Sequence, residues 1–136
     1  MSEVFADAYY LLALVNPRDE AHAMAVEFSE KCADVVVTTE WVLTELGDGL
    51  SRQSDRKVFE RVLDGLRSDP QTLTVPASHE LFEDGVRLYN SRPDKEWSLT
   101  DCTSFVVMRH RGITAALTGD RHFEQAGFVA LLGDAR

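Results

Sequence analysis

The sequence predicts an α/β fold with a mostly parallel central sheet. Short apolar runs alternate with longer stretches of helical spacing along the whole chain. Val35-Val36-Val37 is an uninterrupted β-branched run, the pattern of a strand covered on both faces. Asn16-Pro17, Asp69-Pro70 and Gly112 supply the breaks between elements.

Val4 to Ala6 reads as the first strand, and Ala8 to Val15 as a helix stopped at Asn16-Pro17. Asp19 to Lys31 carries Ala21, Met24, Ala25 and Phe28 at helical intervals and predicts a second helix. After the Val35–Val37 strand, Thr38-Thr39 opens a third helix through about Leu50. A polar segment, Arg52 to Lys57, leads to Val58, Val62, Leu63 and Leu66 on one helical face.

Leu73 to Val75 predicts a third strand, and Ser78 caps a helix to Tyr89. Asn90 to Trp97 reads as a loop. Ser98 caps a helix to about Arg111, Ile113 to Leu117 is the next strand, and a short helix spans Arg121 to Ala126 before a last apolar run, Phe128 to Leu132. No repeat, low-complexity tract or linker interrupts the pattern, so residues 1–136 are expected to form one domain.

With 44% hydrophobic and 27% charged residues, the composition is that of a folded protein and excludes a disordered one. The chain has no long apolar span and no basic-flanked signal-type start, so a cytoplasmic protein without a membrane partner is expected. Cys32 and Cys102 lack disulfide or zinc spacing and are expected to be buried, reduced thiols. Fourteen basic against 23 acidic side chains give a net charge of -9, which excludes a broad basic face for nucleic acid and confines any such contact to a local one.

Four acids stand where a parallel sheet gathers its functional groups, at or beside the carboxyl ends of strands. Asp7 ends the first strand, Asp120 follows the fourth, Asp101 lies in the first turn of the Ser98-capped helix, and Glu45 lies inside the helix after the second strand. Carboxylates brought together repel one another unless protonated or neutralised by a cation. Mg²⁺ or Mn²⁺ is the cation that oxygen donors suit, and the chemistry such a site serves is phosphodiester hydrolysis. Taken singly, Asp7, Asp101 and Asp120 are equally at home as helix caps, and Ser98-Leu-Thr-Asp101 has the form of a capping box. Glu45, set among Trp41, Val42, Leu43 and Leu46, is the acid that capping explains least.

The residues flanking these acids resemble those of the PIN-domain family, in particular the VapC-type toxin ribonucleases of bacterial toxin–antitoxin pairs. Val-Phe-Ala-Asp7-Ala-Tyr-Tyr-Leu-Leu-Ala-Leu resembles the family's opening strand, aspartate and first helix, and Thr44-Glu45-Leu46 its helical glutamate. Ser98-Leu-Thr-Asp101-Cys-Thr-Ser-Phe resembles the third acid's segment. Ala116-Leu-Thr118-Gly-Asp120-Arg-His-Phe123, with Ala126-Gly-Phe128, resembles the fourth and is the most specific. The resemblance departs at Ala8-Tyr9, where small hydroxyl or amide residues are frequent in the family.

What the resemblance implies is a three-layer α/β/α fold and Mg²⁺ or Mn²⁺ held by Asp7, Glu45, Asp101 and Asp120. It further implies cleavage of single-stranded RNA, a cognate antitoxin protein and a homodimer. Thr118 would orient an acid through its hydroxyl, and Arg121 and His122 would be placed for substrate contact.

Arg52, Arg56, Lys57 and Arg61 form one small basic group, and Arg109, His110 and Arg111 another. They read first as a solvated face and as favourable charge at a helix C-terminus. Trp41 and Tyr10 fit core or interface positions, and Trp97, in a loop, is the aromatic expected to be exposed. A receiver-type domain would want paired acids after the first strand and a lysine after the last. A haloacid-dehalogenase-like phosphatase would want Asp-x-Asp where Asp7-Ala-Tyr stands. The remaining alternative is a catalytically silent member of the PIN fold serving as a binding or assembly module.

Overall fold

The computed structural model describes residues 2–133. Five strands, β1 (Glu3–Ala6), β2 (Val35–Thr39), β3 (Thr72–Val75), β4 (Ala115–Leu117) and β5 (Val129–Ala130), form one sheet in the order β3-β2-β1-β4-β5. Every pairing is parallel, so the sheet is more uniform than expected. Helices α1 (Ala8–Val15) and α2 (His22–Lys31) link β1 to β2, and α3 (Glu40–Gly49) and α4 (Arg56–Ser68) link β2 to β3. Helices α5 (His79–Ser91) and α6 (Leu99–Arg111) carry the chain back to β4, and α7 (Arg121–Gln125) leads to β5.

The chain winds outward from β1 through β2 to β3, then returns to β4 on the other side of β1. Helices between parallel strands cover both faces of such a sheet, giving three layers. The direction reverses between β1 and β4, the point at which an open parallel sheet leaves a crevice at its carboxyl edge. Phe5 pairs with Ala116 and Ala6 with Leu117 in register, so the residues after Ala6 and Leu117 emerge side by side into that crevice.

The core forms because the strands are apolar on both faces: Phe5, Val37, Ala116 and Leu117 are fully buried. Phe105 of α6 packs edge-on to Phe123 of α7 with ring centres 5.0 Å apart, and Phe5 and Phe128 stack beside them. These rings tie α6 and α7 to the sheet immediately beneath the crevice. At Gly85, an added Cβ would lie 2.7 Å from Thr103 Cγ2, so the close packing of α5 on α6 requires glycine there.

Several boundaries differ from expectation. Thr38 and Thr39 belong to β2 rather than to the helix: Thr38 is buried and donates to the Ala6 carbonyl at 2.9 Å, while Thr39 caps α3 by accepting the Val42 N–H. Helix α2 begins at His22 because Asp19 turns the chain, accepting the Ala21 N–H at 2.9 Å. Trp97 is buried, not exposed, since its ring packs edge-on to Phe105 at 5.1 Å, Arg92 lies over the ring, and Nε1 donates to Gln125 at 3.0 Å. Cys102 is buried as expected, but Cys32 is only half-buried. No helix among the described residues is long and apolar enough to cross a membrane.

Candidate active site

Asp7 and Asp120 leave neighbouring strands at the switch point, and α3 and α6, which pack on each other, bring Glu45 and Asp101 to the same edge. The acids are coupled by charge: Glu45 and Asp101 act on Asp7, Asp101 and Asp120 on Glu45, and Asp120 on Asp101. The four residues therefore share one electrostatic environment, although 113 positions separate the first from the last, residue 7 from residue 120.

Asp7 occupies the N-cap position of α1 but makes no capping bond with its side chain. Its Oδ2 instead accepts the Thr118 hydroxyl at 2.9 Å, and Thr118 Oγ1 also accepts the Asp120 N–H at 3.1 Å. One hydroxyl thus links the loops that follow β1 and β4. The Asp7 carboxyl is pushed up to about 7, chiefly by burial and secondarily by the charges of Glu45 and Asp101, against the lowering pull of the Thr118 bond.

Asp101 is held from both ends. It completes a capping box with Ser98, its N–H bonding the serine hydroxyl at 3.0 Å and its Oδ2 accepting the Ser98 N–H at 3.1 Å. The same Oδ2 lies 3.1 Å from His122 Nδ1. Burial raises its pKa, opposed by the Ser98 N–H and His122 and aided by Asp120. Asp120 caps α7, accepting the His122 N–H at 2.8 Å, and stays partly open to solvent. Capping and participation in the acid cluster are therefore compatible in Asp101 and Asp120.

Glu45 is half-buried on α3 and has no hydrogen bond or ion pair among the described residues. Its pKa is raised, first by burial and then by Asp101, Asp120 and Asp48. Asp101, Asp120 and His122 bring ligand atoms within 4.8 Å of one another; no group of three containing Asp7 or Glu45 is as tight among the described residues. Asp101, Asp120 and His122 thus form the tight group of the crevice, and Asp7 and Glu45 are coupled to it by charge.

The donor chemistry fits a hard divalent cation. Carboxylate oxygens predominate, the pKa values of three of the acids are raised, and the only basic side chain paired with them is His122, among the described residues. Arg121, the first residue of α7, is exposed beside Asp120. The two basic groups read from the sequence lie elsewhere and are partly neutralised: Arg111 forks onto Glu3 at 2.8 and 3.1 Å, and Lys57 pairs with Glu60.

Sequence reasoning missed two relationships. His122 touches Asp101 across 21 residues, for which its place two residues after a capping acid was the available signal. Tyr9 lies so close over the Thr118–Asp120 turn that a Cβ at Gly119 would meet its hydroxyl oxygen and Cζ at 2.5 Å.

A parallel sheet with acids converging at its switch point defines the PIN class of domain, and a PIN domain profile matches residues 4–129. The chain belongs to that family. It is 29% identical over 126 residues to the 23S rRNA-specific endonuclease VapC20 of Mycobacterium tuberculosis, in both strain CDC 1551 / Oshkosh and strain H37Rv. The match covers 93% of this chain and 95% of the relative. The crystal structure of Mycobacterium tuberculosis VapC20, described as a sarcin-ricin loop cleaving toxin, superposes with a TM-score of 0.85. It covers 93% of this chain and 96% of that one at 29% identity.

Proposed function

We propose that this protein is a Mg²⁺- or Mn²⁺-dependent endoribonuclease that hydrolyses phosphodiester bonds in single-stranded RNA, acting as the toxin of a toxin–antitoxin pair. The observation that carries this reading is the convergence of Asp7, Glu45, Asp101 and Asp120 on one crevice with only His122 to offset their charge among the described residues. The match to VapC20, named a 23S rRNA-specific endonuclease, over 93% of this chain supports the choice of RNA.

In this reading Asp101 and Asp120 hold the cation directly, and Asp7 and Glu45 complete the site directly or through water. Bound there, Mg²⁺ or Mn²⁺ supplies the Lewis acidity that polarises the scissile phosphate and acidifies an attacking water. Thr118 holds the Asp7 carboxylate in place through Oδ2. Arg121 gives the acidic surface a local contact for the RNA phosphate.

The domain is proposed to extend over residues 1–136 and to act in the cytoplasm as a homodimer, restrained by a cognate antitoxin. The test is incubation of the purified chain with an unstructured RNA oligonucleotide and with 23S rRNA in the presence of Mg²⁺. Endonucleolytic products from either support the reading, and intact RNA in both supports the silent binding module instead. Co-expression with the product of an adjacent small gene, if it encodes an antitoxin, should abolish the cleavage.

A further inference from the structure

His122 combines two kinds of contact with the acids. Its main-chain N–H is bonded to Asp120 Oδ1 at 2.8 Å, while its ring Nδ1 lies 3.1 Å from Asp101 Oδ2 and 3.5 Å from Asp120 Oδ1. Two donors at right angles, each about 2.1 Å from one cation, are about 3 Å apart. The separations around Nδ1 are therefore close to those between adjacent corners of a coordination octahedron. Resting on the reading of the acids as a metal site, we propose that His122 is itself a ligand through Nδ1, and that its imidazole makes the site prefer a first-row transition dication such as Mn²⁺ to Mg²⁺.

The surrounding bonds favour this placement. Asp101 Oδ2 also accepts the Ser98 N–H at 3.1 Å, which keeps the carboxylate from turning away from the ring. The bond to Asp120 fixes the main chain that carries the imidazole, and three-quarters of the His122 side chain is covered, with 24% exposed. A cation held by Asp101 and Asp120 would have Nδ1 among the ligand atoms within 4.8 Å of one another. A proton on that nitrogen would point at the cation, so a coordinating ring would offer its lone pair there and carry its proton on Nε2. Mg²⁺ favours oxygen donors in a near-ideal octahedron, whereas imidazole nitrogen suits the first-row transition metals. The competing arrangement leaves the ring outside the coordination sphere, donating Nδ1–H to Asp101.

The two arrangements differ in what the ion sees. The experiment is electron spin-echo modulation of the Mn²⁺-loaded chain, unlabelled and with nitrogen-15 histidine, alongside calorimetric titration of wild type, His122→Ala and His122→Asp with Mn²⁺ and with Mg²⁺. The proposal expects coupling from a directly bonded nitrogen that changes with the label and vanishes in both variants. It also expects the ratio of Mn²⁺ to Mg²⁺ affinity to fall about tenfold or more in His122→Asp, which restores an all-oxygen site. Bound Mn²⁺ without nitrogen coupling, or a ratio unchanged in His122→Asp, overturns this inference alone. A wild-type chain that binds neither ion overturns the metal-site reading with it.

Discussion

The Thr118 hydroxyl donates to Asp7 Oδ2 at 2.9 Å, joining the residues that follow the two strands at the sheet's switch point. Because the same oxygen accepts the Asp120 N–H, one buried side chain sets the position of two acids. Thr118→Val keeps the volume and removes both bonds. The expected result is a folded chain whose ribonuclease activity and dication affinity are each reduced by about 10–100-fold. Stability should fall by about 1–2 kcal/mol, because the buried Asp7 oxygen and Asp120 N–H lose their partner. Cleavage rates, calorimetry and urea unfolding measure the three effects.

Asp7 makes metal-free stability depend on pH. In the folded chain its carboxyl holds a proton up to about pH 7, whereas its ordinary pKa is 3.8. Between these values the folded state binds more protons than the unfolded state, so stability falls as pH rises from about 4 to about 7 and levels off above that. Glu45 and Asp101, also shifted upward, act in the same direction. Asp7→Asn removes the cost of an ionised buried acid. In EDTA at pH 8 this variant should be more stable than wild type, on the order of 1–3 kcal/mol, while having lost its activity. Unfolding curves at pH 5 and pH 8 check this, and a wild-type chain that becomes more stable between those values would contradict the sign.

Gly119 is the point at which Tyr9 rests on the acid-bearing turn. A Cβ there would lie 2.5–2.8 Å from the tyrosine's ring and hydroxyl oxygen, so Gly119→Ala must displace one or the other. A loss of about 1–3 kcal/mol is expected. Combining it with Tyr9→Ala should cost less than the sum of the two single changes, because the second removes what the first collides with. Thermal unfolding of the four proteins of the cycle gives the coupling.

Much of this architecture was legible because it is periodic or local. The β-branched run at Val35–Val37, the Ser98 and Ser78 caps and the Gly112 stop each act within a few residues of their own position. The four acids could be singled out because they stand at strand ends and helix starts, which the alternation reveals. Contacts made across the fold were not legible. Trp97 looked exposed in a polar loop, and its burial depends on Phe105 and on Gln125, 28 residues away. Thr38-Thr39 has the form of a helix start, yet β2 extends through both residues because they pair with Thr74 and Val75 of β3. Spacing also could not separate the tight Asp101, Asp120 and His122 group from Asp7 and Glu45.

The central claim is that these carboxylates act together through a divalent cation on RNA. Its most direct measurement is cleavage of one end-labelled single-stranded RNA by wild type, Asp101→Asn and Asp120→Asn, each with Mn²⁺, Mg²⁺ or EDTA. The account predicts endonucleolytic products from wild type with a dication, none with EDTA, and a loss in both variants greater than the roughly 100-fold upper range for outer-shell residues. Undiminished cleavage in EDTA, or variants as active as wild type, would contradict it.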